Sequence, residues 1–314
     1  PTTKTRVGRA HRGRRRVKKT IEWLTGRGLR MALIALSGLS RLSPFNRMAL
    51  SRWVGHILWV LARRRRSIAT TNLGLCFPTW DRTQIDSVAR KHFVFYARAF
   101  LDRFVVWRAN ETQCRAIVAL EGLENLRPTD GRPVIVLAPH FLGLDAGGVR
   151  IQLETQIVSM YSRQGNPFLD ELALAGRNRF NAPILIRRSE GIIRLAKLVK
   201  KGIPAYFLPD MDLGSRDAVF ADFMGQKAAT VTSLVRLAQL TQATVVPMVT
   251  WMEETGYRAR LYPGWRHPKD EDLLLGVQRM NDFIAERVRE APEQYLWTHR
   301  RFKTRPPGEP SVYQ

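Results

Sequence analysis

The segment Ala138-Pro139-His140-Phe141-Leu142-Gly143-Leu144-Asp145 sets an imidazole and a carboxylate five positions apart. On one straight helix that separation turns the two side chains about 140° from each other, so they could not meet there. At a strand-to-helix turn the chain doubles back, and Asp145 can then reach the Nδ1–H of His140. A carboxylate so placed fixes the tautomer and stabilises the imidazolium that forms on proton abstraction. Nε2 is left facing outward as a general base. Gly143, Gly147 and Gly148 allow tight turning and close approach of a substrate. His-x4-Asp is a short pattern, and its bland alternative is a chance pair around a structural histidine. The position directly after a predicted core strand, preceded by Ala-Pro, favours chemistry.

No residue nearby reads as an enzyme nucleophile. There is no G-x-S-x-G elbow, and Cys76 and Cys114 fall in predicted helical regions outside the sheet. A base without a protein nucleophile implies that the substrate brings its own: a hydroxyl, deprotonated by His140, attacking an acyl carbonyl directly. The six histidines are scattered, with no H-E-x-x-H. Neither a Walker loop nor G-x-G-x-x-G occurs, so neither a metal nor a cofactor is expected.

The elements that must position these groups are legible as alternating periods. Pro133–Ala138 is a short continuous apolar run, as in a strand buried on both faces. Similar runs follow at Gln156–Met160, Pro183–Ile186, Ala205–Leu208 and Thr244–Val249. Helix-period stretches lie between them at Ala146–Leu153, Leu169–Phe180, Ile192–Lys200 and Val231–Leu240. Asp270–Glu290 reads as one long amphipathic helix ended by Pro292, and residues 46–110 read as helical except around Pro78. The pattern predicts an α/β fold: a mostly parallel central sheet flanked by helices. Ligands of such sheets bind beyond the carboxyl ends of the strands. The positions to inspect are therefore Pro139-His140, Tyr161-Ser162-Arg163, Arg187-Arg188, Pro209-Asp210 and Trp251.

The charge is lopsided. Of a formal net +24 over 314 residues, +17 lies in residues 1–66, where 18 Lys and Arg face Glu22 alone. Clusters stand at Arg12–Lys19 and Arg63–Arg66. Polyanions of two kinds attract such clusters, nucleic acid and an anionic membrane surface. Apolar stretches at Met31–Ser40 and residues 52–61, flanked by Arg, favour the membrane. Neither reaches the roughly 20 apolar residues of a spanning helix. For residues 53–61, packing on the protein's own body is the equal alternative. No A-x-A cleavage site follows, so the segment reads as retained, and its basic flanks keep it on the cytoplasmic face. The chain is thus expected to divide into a basic, amphipathic, membrane-associating segment (1–66) and a catalytic domain (67–314). Nucleic acid is not an expected partner, because the charge is not interleaved with stacking positions in a recognition fold.

Several ordered blocks resemble the late acyltransferases of lipid A biosynthesis, a branch of the glycerolipid acyltransferase superfamily. They are Arg63–Arg66 with Asn72-Leu73-x-Leu75-Cys76-Phe77-Pro78; His140-Phe141-x3-Asp145; Tyr161-x-Arg163-x2-Asn166-Pro167; Gly176-Arg177-x-Arg179; Pro209-Asp210-x-Asp212-x-Gly214; and residues 291–306, from Ala291-Pro292 to Arg305-Pro306. The resemblance spans residues 20–313. It implies transfer of a fatty acyl chain from acyl carrier protein to a hydroxyl of an acyl chain already on a lipid A precursor, at the inner membrane, by a protein acting as a monomer. It also implies His140 as base with Asp145 as partner, Arg177 holding a substrate phosphate, Asp210 in the site, and Arg163 as a further anion contact. Acyl carrier protein is acidic, and Arg187, Arg188, Lys197, Lys200 and Lys201 are candidates to dock it, against the alternative of a solvated helix face. Trp297 and Phe302 are expected to pack the core, and His299 to be structural or a phosphate contact. Asp212 reads as a loop cap. Transfer to another glycolipid or phospholipid, with acyl-CoA as donor, is the alternative within the fold.

Overall fold

A computed structural model describes residues 38–163 and 165–313. The Arg12–Lys19 cluster and residues 31–37 of the first apolar stretch lie outside the described residues.

A 3-10 turn at Gly38–Arg41 leads into three α-helices: α1 (Pro44–Leu61), α2 (Arg63–Cys76) and α3 (Arg82–Val106). Ser43 caps α1, and an Asp81–Gln84 capping box starts α3 after the turn at Pro78. The chain also breaks at Ala62, between two stretches that read as one. Helix α1 lies on α3 closely enough that a Cβ at Gly55 would stand 2.7 Å from Val94 Cα. Arg47 Nε donates to Asp102 of α3 at 3.0 Å, and the same carboxylate accepts from Arg98 and from Tyr257. The outward face of α1 leaves Phe45, Trp53, Val60 and Leu61 exposed. No helix among the described residues is long and apolar enough to cross a membrane.

After α4 (Glu111–Ile117) come β1 (Val118–Glu121), β2 (Val134–Leu137), α5 (Leu144–Arg150), β3 (Val158–Tyr161), α6 (Pro167–Arg177), β4 (Ile184–Arg187), α7 (Ile192–Lys200) and β5 (Ala205–Phe207). A hairpin of β6 (Ala218–Phe223) and β7 (Gln226–Val231) follows, then α8 (Ser233–Thr241), β8 (Thr244–Met252), β9 (Tyr257–Leu261) and α9 (Leu273–Glu290). Seven strands form one sheet in the order β1-β9-β8-β2-β5-β3-β4, parallel except for the antiparallel β8–β9 pair. The expected α/β architecture is present, with each of the five predicted strands within three residues of its predicted ends.

The continuous apolar run at β2 has a direct cause. Ile135 and Leu137 feed one core with α7, α8 and α9, while Val134 and Val136 feed a second with α4 and α5. A strand covered on both faces has no polar side to show. Helix α9 begins at Leu273, three residues later than expected, because the Asp272 carboxylate accepts from the Leu274 and Leu275 amides and so starts the helix there.

Candidate active site

β2 and β5 are neighbours, with Leu137 opposite Phe207. The ladder runs one step further, the Ala138 amide donating to Phe207 O at 2.9 Å. His140 stands three residues beyond Leu137, and Asp210 three residues beyond Phe207. The equal offsets bring the two side chains together at the carboxyl edge of the sheet. His140 Nδ1 lies 2.6 Å from Asp210 Oδ1, and the His140 amide donates to Asp210 Oδ2 at 2.9 Å. With the proton on Nδ1 held by a carboxylate, Nε2 presents its lone pair. It has no partner among the described residues, and the side chain keeps 15% exposure.

Asp210 is buried, which by itself would raise its pKa. The His140 imidazole, with its ring and backbone hydrogen bonds, outweighs that, and Arg301 adds to it, so the carboxyl sits at about 2. Tyr295 completes the cluster by donating its hydroxyl to Asp210 Oδ2 at 3.0 Å. Its reach follows from the backbone. Residues 294–296 run antiparallel to 140–142, with Leu142 N donating to Gln294 O and Leu296 N to His140 O. Burial and the neighbouring Asp210 carboxylate push the Tyr295 hydroxyl pKa well up, so it stays a donor.

The predicted contact between Asp145 and His140 is not the one formed. Nδ1 is already occupied by Asp210, and Asp145, in the first turn of α5, turns to two guanidiniums. Arg103 Nε of α3 lies 2.7 Å from Oδ2, and Arg177 Nη2 of α6 lies 3.2 Å from Oδ1. Burial works to raise the Asp145 pKa, but the two arginines prevail and hold it below the usual carboxylate range. Two of the three predicted glycines, Gly143 and Gly147, serve packing instead. A Cβ at Gly143 would stand 2.5 Å from Thr250 O, and one at Gly147 2.0 Å from Thr250 Oγ1. These two let α5 press against β8, whereas Gly148 meets Tyr206 and lines the cavity beside Asp145 and Arg177.

The other expected positions divide. Asp212 caps its loop, accepting from Gly214 N, Thr304 N and Thr304 Oγ1. His299 Nε2 accepts from the Asp212 amide, and burial, with His140 and Arg301 nearby, lowers its pKa to about 4. Trp297 and Phe302 are fully buried core residues. Trp251 is buried in β8 with its ring edge-on to Phe141. Arg163 is 65% exposed beyond β3, its Nε 3.7 Å from Asp170. Arg187, Arg188, Lys197, Lys200 and Lys201 are exposed. Both cysteines are buried, which pushes the Cys76 thiol up to about 12 and Cys114 upward as well, away from thiolate chemistry. Sequence reasoning gave no role to Arg103 or to Tyr295. The only available signal for Tyr295 was its place in the distinctive 291–306 block.

A narrow cavity of about 90 Å³ adjoins the Asp145–Arg177 pair and is mostly apolar, with Leu144, Val149, Ile157, Met160, Leu185 and Leu208 among its lining. It lies along β3 and β5 on the side covered by α5.

This α/β sheet, with a steered imidazole at its carboxyl edge and an apolar cavity beside the Asp145–Arg177 ion pair, has the architecture expected of a transferase handling amphiphiles. The family model described as bacterial lipid A biosynthesis acyltransferase matches residues 12–304, and the chain belongs to that family. It is an acyltransferase of lipid A biosynthesis. It is 33% identical to the lipid A biosynthesis palmitoleoyltransferase of Escherichia coli over 83% of this chain and 86% of that protein. To a lipid A biosynthesis acyltransferase of Haemophilus influenzae it is also 33% identical, over 82% of this chain and 80% of the relative. The lipid A biosynthesis myristoyltransferase of Escherichia coli is 30% identical over 91% of this chain and 90% of its own length.

Proposed function

We propose that the protein moves a fatty acyl chain from acyl carrier protein to a hydroxyl of a lipid A precursor, with His140 as general base and no acyl-enzyme. The acceptor O–H gives its proton to His140 Nε2 as its oxygen attacks the thioester carbonyl. The tetrahedral intermediate collapses, the C–S bond breaks, and the departing sulfur takes the proton back from Nε2. Each turnover leaves an ester, a free thiol and a neutral imidazole. Asp210 holds Nδ1–H and stabilises the imidazolium between the two proton transfers. Arg177 and Arg103 carry one more positive charge than Asp145 cancels, which suits a phosphate of the acceptor. The apolar cavity takes methylenes of the acyl chain. The basic first 66 residues and the outward face of α1 associate with the cytoplasmic face of the inner membrane, and the protein works as a monomer.

The observation that carries this reading is the 2.6 Å bond between His140 Nδ1 and Asp210, which leaves Nε2 unpartnered. The test is a purified-enzyme assay with a lipid A precursor and either acyl carrier protein or coenzyme A thioesters, read by mass spectrometry. Acylated product from the carrier-protein donor, and a fall of about 10⁴-fold in kcat for His140→Ala with the fold retained, are expected. Substantial turnover by His140→Ala removes the general base. Activity confined to a phospholipid acceptor removes the lipid A assignment.

A further inference from the structure

Away from the residues around His140, α2 and α3 enclose a polar cleft of about 520 Å³ lined by Trp59, Arg63, Arg66, Ser67, Thr70, Thr71, Arg82, Asp86 and Arg90. Two ladders face each other there. Residues 63, 66, 67, 70 and 71 share one side of α2, and residues 82, 86 and 90 share one side of the antiparallel α3. Four guanidiniums meet a single carboxylate, Asp86, which Arg82 already pairs at 3.2 Å. Arg63, Arg66 and Arg90 have no carboxylate partner among the described residues. Two of them are nevertheless held in place. Arg66 donates to Trp59 O at 2.8 Å with its guanidinium 5.3 Å from the Trp59 ring centre, and Arg90 stacks over the same ring at 4.6 Å. Like charges gathered this closely repel each other, and an anion seated between them relieves the repulsion. The guanidinium forks and the adjacent Ser67 and Thr71 hydroxyls match a phosphate, which accepts several hydrogen bonds at once.

We infer that this cleft is a second anion site, binding the phosphomonoester headgroup of a membrane lipid. The lipid source follows from what adjoins it. Helix α1 ends at Leu61, two residues before Arg63, and its last turn leaves Val60 and Leu61 exposed at that end. Apolar side chains beside a phosphate site fit an amphiphile, whose tails and headgroup both need a place. The inference stands apart from the acyl-transfer reading, since none of the cleft residues belongs to the His140–Asp210–Tyr295 cluster or contacts Asp145.

The test uses the full chain in sedimentation with three kinds of vesicle: phosphatidylcholine alone, and phosphatidylcholine mixed with phosphatidic acid or with phosphatidylglycerol at matched surface potential. Matching the potential removes the diffuse attraction exerted by the basic first residues. Phosphatidic acid vesicles are expected to bind about tenfold more tightly than phosphatidylglycerol vesicles. The double variant Arg63→Gln/Arg90→Gln should lose that preference to less than about twofold. Arg127→Gln, an exposed arginine outside both the cleft and the basic first 66 residues, should keep it. Thermal unfolding of each variant shows that the fold is intact. Equal binding to both anionic vesicles by the wild type, or an equal loss with Arg127→Gln, overturns the site. Inorganic phosphate binding as tightly as the vesicles do assigns the cleft to a soluble anion. Loss of carrier-protein binding in the double variant, with vesicle preference untouched, assigns it to a protein. Either result overturns the lipid assignment.

Discussion

Asp210, fully buried, and Asp145, half-buried, are carboxylates at the same edge of the sheet, and they do opposite electrostatic work. Asp210 faces an imidazole, a peptide N–H and a phenol, so its charge is spent on one titratable ring. Asp145 faces two guanidiniums that never titrate, and the cluster keeps a net positive charge. The first environment can steer a proton; the second can hold an anion. Proximity in sequence pointed to Asp145 as the partner of His140, and the strand ladder supplied Asp210 instead.

Substitutions should separate the two roles. Asp210→Asn should lower kcat by about 10³- to 10⁴-fold, because an amide in place of the carboxylate no longer holds the proton on Nδ1; steady-state kinetics with a saturating acceptor measures this. Asp145→Asn should cost about 10- to 10²-fold in kcat/KM, mostly through KM, and lower the melting temperature, since two guanidiniums lose their counter-charge. If Asp145→Asn instead matched Asp210→Asn in kcat with KM unchanged, the division of labour between the two carboxylates would be wrong. Tyr295→Phe removes one hydrogen bond to a charged acceptor and should reduce kcat by about tenfold. A reduction much larger than that would give the phenol a role in the chemistry itself.

The smallest effect concerns stability and a third buried group. His92 lies fully buried in α3, and that burial, only partly opposed by a bond to Glu293 O, lowers its pKa to about 4. Between pH 6.5 and 4 the unfolded chain binds a proton that the folded chain refuses, so stability falls as pH drops through that window and levels off below it. His92 should account for about 2 to 3 kcal/mol of the loss between pH 7 and 4.5. Urea unfolding at both values measures this, and His92→Asn, which keeps a donor for Glu293 O without titrating, should flatten the difference.

The sheet was legible in the sequence because its strands are covered on both faces and spell continuous apolar runs. Those runs also placed His140 and Asp210 beyond strand ends. Their adjacency was not legible, because which strands neighbour each other depends on packing between residues about 70 positions apart. The β6–β7 hairpin escaped notice because its two-residue turn, Met224-Gly225, carries positive φ at both positions yet has Met where Asn or Asp usually signals such a turn. β9 escaped too, although Tyr257, Ala259 and Leu261 are buried with Arg258 and Arg260 turned outward between them. Helix α1 reads as amphipathic in sequence and uses Gly55 for its close approach to α3.

Residues 294–296, laid alongside 140–142, have a consequence for the order in which the enzyme matures. Synthesis proceeds from the amino end, so a growing chain on the ribosome carries its histidine long before it carries the aspartate that steers it, and the tyrosine behind that aspartate arrives last of all. The His140–Asp210–Tyr295 cluster is therefore incomplete in the growing chain until residues 294–296 have emerged. A frameshift or clipping event between His140 and Tyr295 would leave a product with its histidine present but without its full support.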